Sequence, residues 1–230
     1  MYYDLLYALP ALILTLLASA HVKSTYARYS EIGASSGVTA ASVARRILDA
    51  HGLTDVRIER IAGELSDHFD PAANVIRLSD SVYGSSSVAA IGVAAHECGH
   101  AVQYARSYLP IRIRASIIPV TNFASKFAVP MVILGMLLAA YGENLLSIAY
   151  AGVILFGFCV LFQLVTLPVE FNASRRAMIV LREDAILNSG ELDGARKVLT
   201  AAAMTYVASL AGTVLQLLRL ISIVNNNRRR

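Results

Sequence analysis

From Phe127 to Val169 the chain carries a single charged residue, Glu143. A soluble protein could hide such a stretch only as helical core inside a large polar shell. The rest of this chain is too small to supply one. Only 16% of its 230 residues are charged and 56% are hydrophobic, against about 25% charged in a soluble domain. A bilayer removes the difficulty. About 20 apolar residues cross the hydrocarbon as a helix, and a helix satisfies its own backbone there. Gly142, Glu143 and Asn144 interrupt the run, so it reads as a transmembrane hairpin over 127–142 and 146–168.

Two further runs have membrane character. Leu5 to Ala20 is uncharged and would extend about 24 Å as a helix, slightly short for a bilayer. Tyr2, Tyr3 and His21 are placed to sit at its interfaces. Ala18-Ser19-Ala20 resembles a signal cleavage site, but the stretch before Leu5 carries Asp4 and no Lys or Arg, so a retained anchor is the expectation. Val198 to Leu218 is uncharged and of spanning length. The fold class is therefore mainly α membrane protein, with about four transmembrane helices.

Most of the charge lies between residues 22 and 126. Thr39 to His51 has helical spacing, with Val43, Ile47 and Leu48 on one face and Gly52 as the stop. Val56 to Ile61 alternates as a half-buried strand, Phe69 to Asn74 is a turn signal, and Asn74 to Ser79 reads as a second strand. A helix from about Ser86 to Arg106 follows, with Pro110 in the loop after it. The net charge of +4 is mild and no basic stripe with interleaved aromatics occurs, which argues against nucleic-acid binding. Cys98 and Cys159 suggest no disulfide framework.

The helix over 86–106 contains His96-Glu97-Cys98-Gly99-His100. Residues four apart lie on one helical face, so both imidazoles can meet one ion. Glu97, about 100° around the axis, can reach a water on that ion. Two nitrogens and a neighbouring carboxylate are what a zinc hydrolase requires. A catalytic zinc needs at least one more protein ligand. His21, His51, His68 and the carboxylates are candidates. Ala101 to Tyr108 holds no histidine, which removes the three-histidine form of the motif. Glu170 stands out, opening a helical segment directly after Pro168. A hairpin crosses the membrane twice and returns to the same face, so Glu170 can reach the motif helix.

Four segments resemble the YugP-type membrane zinc metallopeptidases: Leu65 to Pro71, Val75 to Ser79, Val88 to Gln103, and Pro168 to Ala177. Val198 to Val207 and Leu217 to Leu220 resemble it as well. More distantly the chain is similar to the HtpX and CAAX-processing membrane proteases. The resemblance implies that His96, His100 and Glu170 bind Zn2+ and that Glu97 is the catalytic base. It implies a small zincin-like α+β domain with a short β-sheet. The HtpX-like pattern has an acid four residues after the ligand glutamate. Ser174 stands there instead, and Asn172 is a candidate to share its hydrogen-bonding role.

The expected organisation is an anchor over 1–21, a zincin-like domain over 22–126, the hairpin over 127–169, a helical segment with the third ligand over 170–197, and an apolar helix with a basic tail over 198–230. The expected activity is membrane-embedded endopeptidase cleavage of a peptide or membrane-protein substrate, with Asn74 to Ser79 as an edge strand that pairs with it. A catalytically inactive zinc-site adaptor is the alternative. A transporter is disfavoured, because almost no charge lies inside the apolar runs. Basic residues in both polar segments favour a cytoplasmic active site. Four full crossings would then put Arg228-Arg229-Arg230 outside, against the same rule, unless the last run does not fully span.

Overall fold

The computed structural model describes residues 2–228, without the side chains of residues 2–4, Glu143 and Arg228. The interfacial reading of Tyr2 and Tyr3, the Glu143 charge and the terminal arginines therefore lie outside the described side chains. The chain is a mainly α membrane protein with a small sheet. Its elements are α1 (Tyr2–Ser30), α2 (Ala40–Ala50), β1 (Arg57–Ile61), β2 (His68–Asp70), β3 (Val75–Ser79), α3 (Asp80–Tyr83), α4 (Val88–Ala105), α5 (Leu109–Leu138), α6 (Leu146–Glu183) and α7 (Ser189–Arg228). Four helices among the described residues, α1, α5, α6 and α7, are long and apolar enough to cross a membrane.

These helices outrun the apolar stretches that announce them. Pro110 does not sit in a loop but in the first turn of α5, where its missing N–H costs nothing. Pro168 does not open a new segment either. It lies inside α6, which continues through Glu170 to Glu183. The polar ends were read as separate segments because their composition changes while the backbone hydrogen-bonding does not.

The chain divides into two compact units. One comprises residues up to 19, 113–167 and from 205 onward. Within it α5 and α6 come close together at glycines. A Cβ at Gly135 would strike the backbone of Ala149, and one at Gly152 would lie 2.7 Å from the Ala128 carbonyl oxygen. Small residues at helix contacts are the membrane substitute for a hydrophobic driving force. Tyr150 donates to Asn225 at 3.0 Å and Gln163 to Ser209 at 3.0 Å, adding interhelical hydrogen bonds. Outward residues such as Ile154, 70% exposed, are large and apolar.

The second unit comprises residues 20–112 and 168–204. Its core joins Val43, Ile47 and Leu48 of α2 to Ile76 and Leu78 of β3, Ile91 of α4 and Leu181 of α6. Thr39 caps α2 by accepting from the Ser42 N–H, and Ser87 caps α4 by accepting from the Ala90 N–H. The sheet order is β1-β3-β2, with β1 parallel and β2 antiparallel to β3. Two expectations change here. The Phe69–Asn74 turn signal hides a short strand, β2, ahead of the turn in which Asp70 accepts from the N–H groups of Ala72 and Ala73. The strand at Val75–Ser79 is central, paired on both sides, and cannot take a substrate strand. Its burial explains this: four of its five residues are buried, the pattern of a strand covered on both faces rather than an edge.

Gly152→Leu is expected to lower the thermal midpoint of the detergent-solubilised protein, because overpacking costs about 1–3 kcal/mol. Gly157→Leu, where an added Cβ meets nothing within 4 Å, should leave the midpoint unchanged in the same melt.

Candidate metal centre

Residues His96 and His100 project from one face of α4 with ring centroids 4.7 Å apart and planes 88° to each other. Glu170 comes from α6. Its Oε2 lies 3.3 Å from His96 Nε2 and 3.5 Å from His100 Nε2. These are the residues that could hold a metal ion among those described. Tetrahedral ligands about 2.0–2.2 Å from a central ion stand about 3.4 Å from one another. Both observed spacings agree with that, and two imidazoles with a carboxylate are a zinc-type donor set.

The approach of α6 to α4 is set at Gly99. A Cβ there would lie 2.7 Å from the Ala173 carbonyl oxygen and 3.1 Å from its Cα. Any side chain would push the helices apart, and Glu170 rides on the same stretch of α6. Cys98 points the other way into the core, its Sγ near the Ala44 carbonyl oxygen. Burial pushes its thiol pKa up, helped by the Glu97 carboxylate, so it stays a neutral packing group.

Each histidine is gripped at its far nitrogen. His96 Nδ1 is 3.1 Å from Ser174 Oγ, and His100 Nδ1 is 3.0 Å from Gln103 Oε1. Gln103 is fully buried. Its amide N–H groups donate to the Val169 carbonyl at 2.8 Å and to Asn172 Oδ1 at 3.0 Å. Asn172 Oδ1 also accepts from Arg176 Nε at 2.8 Å. With both N–H groups used, the Gln103 oxygen must face His100, so His100 Nδ1 carries the proton and Nε2 offers its lone pair to the centre. Burial works against a charged His100, but the carboxylates of Glu170 and Glu97 outweigh it and hold its pKa raised. An incoming metal would take the place of any second proton on Nε2, while the Nδ1 proton stays with Gln103.

Glu97 is buried and is not part of the donor cluster. Its Oε2 accepts from the Phe69 N–H at 3.0 Å. The Phe69 ring packs on Tyr104 of α4, centroids 5.6 Å apart, which fixes β2 beside the motif helix. That N–H, given to Glu97, is turned away from β3 toward the open side of the sheet. His68 sits on β2 with its ring between the Ser66 carbonyl and Arg77, and His51 turns back on the Ile47 carbonyl. Neither joins the centre. Asn172 touches no histidine and acts one step further out, through Gln103. Gln103 itself was missed in the sequence. It lies three residues after His100, on the same helical face, and that spacing was the available signal.

Gln103→Leu is expected to weaken divalent-metal affinity about ten- to a hundredfold, measured by competition with a chromophoric chelator, with the thermal midpoint of the metal-free protein recorded alongside.

A family model described as "Putative neutral zinc metallopeptidase" matches residues 4–225. A Bacillus subtilis (strain 168) protein named "Putative membrane protease YugP" is 47% identical over 218 residues, covering 95% of each chain. No solved structure matches. A family match over nearly the whole chain, on top of two imidazoles and a carboxylate at metal-binding spacing, leads to one conclusion: the chain belongs to this family of neutral zinc metallopeptidases.

Proposed function

We propose that the chain is a membrane-embedded zinc endopeptidase in which His96, His100 and Glu170 hold the ion and Glu97 is the general base. The observation that carries this reading is the convergence of His96, His100 and Glu170 at 3.3 and 3.5 Å, with Glu97 one residue along the same helix. Zinc bound there supplies Lewis-acid activation of a water and of the scissile carbonyl. Three candidate ligands, one fewer than a closed structural zinc site uses, favour catalysis over the adaptor alternative.

The chain's own residues do the rest. Glu97 takes a proton from the attacking water and returns it to the leaving amine. The Phe69 N–H orients its carboxylate for both transfers. Gln103 holds His100 in the ligating tautomer and Ser174 orients the His96 ring. A substrate in extended form would lie along the outer side of β2, the strand beside Glu97, and pair with the Phe69 carbonyl, the Phe69 N–H being held by Glu97. This places the substrate strand on β2 instead of β3. The active site faces the cytoplasm in this reading, where the basic residues of the polar segments favour it.

In the variant Glu97→Gln, the zinc content of purified protein should equal wild type while peptide cleavage falls at least about a hundredfold. Unchanged cleavage would overturn the role of Glu97. A second measurement addresses orientation. In a Cys159→Ser background, Glu64→Cys should resist a membrane-impermeant maleimide in intact cells and react once they are permeabilised. Labelling of intact cells would reverse the assignment.

A further inference from the structure

Away from the metal centre, the last turns of α1 and the first turns of α7 enclose a cleft of about 590 Å³. Its polar lining is Arg28, Arg196, Lys197 and His21 with the hydroxyls of Ser24, Thr25, Tyr29 and Thr200, and no carboxylate is among its lining residues. Gly194 sets its width, because a Cβ there would meet the Tyr29 ring at 2.8 Å. The three cations are not equivalent. Lys197 is tied to Asp193 at 2.7 Å, so its charge is largely compensated. Arg28 lies over the Tyr29 ring at 5.7 Å, which orients the guanidinium without neutralising it. Among the described residues no carboxylate stands in ion-pair contact with Arg28 or Arg196, and Asp193 acts on Arg196 only at longer range. Ser24 already donates to the His21 carbonyl, leaving Thr25, Tyr29 and Thr200 as the hydroxyl donors.

We infer that this cleft binds the phosphate of an anionic phospholipid headgroup. Two independent observations meet here. The first is the donor set, since guanidinium forks and hydroxyls match phosphate oxygens in geometry and charge. The second is position along the chain. On α1 the uncharged run Leu5 to Ala20 leads directly into the turns that carry Arg28, and on α7 the uncharged run Val198 to Leu218 begins directly after Lys197. Cations at the ends of spanning helices stand at headgroup depth, where basic pockets between helices take lipid phosphates. A soluble phosphate compound shares the chemistry but has no reason to favour that depth.

The test uses the full chain in detergent micelles, titrated separately with phosphatidylglycerol, phosphatidylcholine and inorganic phosphate, with bound lipid counted by native mass spectrometry. Phosphatidylglycerol is expected to be retained in preference to phosphatidylcholine, and inorganic phosphate in excess should not displace it. Each cation near an anionic lipid surface is worth about fivefold in affinity, so Arg28→Gln/Arg196→Gln should weaken retention about 30-fold. Arg28→Lys/Arg196→Lys should recover most of it, and Arg57→Gln/Arg60→Gln, on the exposed strand β1, should change nothing. If the glutamine pair does not elute as a single species, Thr25→Val/Thr200→Val replaces it, with a several-fold loss expected. Equal retention of both lipids, or unchanged retention in the cleft variants, overturns the inference. Full displacement by inorganic phosphate overturns the lipid as its source.

Discussion

The contact between Gly99 and Ala173 is the constraint on which the metal centre depends. A helix pair normally stands 8–10 Å apart, set by the side chains between them. Here a missing side chain on α4 meets the bare backbone of α6. That closeness lets a short carboxylate on α6 come within about a ligand spacing of two imidazoles on α4. The same contact brings Ser174, Asn172 and the Val169 carbonyl within reach of α4, so one glycine serves both the ligands and the groups that orient them.

The groups that touch the far nitrogens of the two histidines are neutral. Ser174 and Gln103 hold the histidines through a hydroxyl and an amide. A buried amide is satisfied only in one orientation when both its N–H groups have fixed acceptors. Gln103 meets that condition, and its oxygen therefore specifies the tautomer of His100 without adding charge to a buried site. The carboxylate Glu170 then supplies the negative charge at the centre itself. Arg176 closes the network by donating to Asn172.

The long route from His100 to Glu170 is a consequence of the membrane. The chain leaves the unit that holds His96 and His100 after Arg112 and re-enters it at Pro168. Two long apolar helices fill the interval, with glycines at their contact and large apolar residues facing outward. Because α6 is continuous through Pro168, Glu170 lies on the same helix as the apolar run before it. Its position is then set by helix packing, and no loop intervenes to blur it.

Much of this was legible in the residues alone. The apolar runs announced four long helices, because no other structure satisfies so many backbone groups without water. The helical repeat put His96 and His100 on one face, and the double crossing pointed to Glu170. Local pattern could not show which strand lies at the edge of the sheet, since Val75 to Ser79 is a strand in either place and only its pairing with β1 and β2 decides. The strand at His68–Asp70 was invisible because three residues beside a turn give too short a period. Gln103 and the Gly99 contact belong to the same class. They act through partners on α6 some seventy residues away in the chain, and a sequence names the groups without saying which of them will touch. What the sequence determined is the chemistry available and the long apolar helices that separate its parts. What only the tertiary structure decided is the orientation of that chemistry, because tautomer, helix separation and strand order are properties of contacts and not of composition.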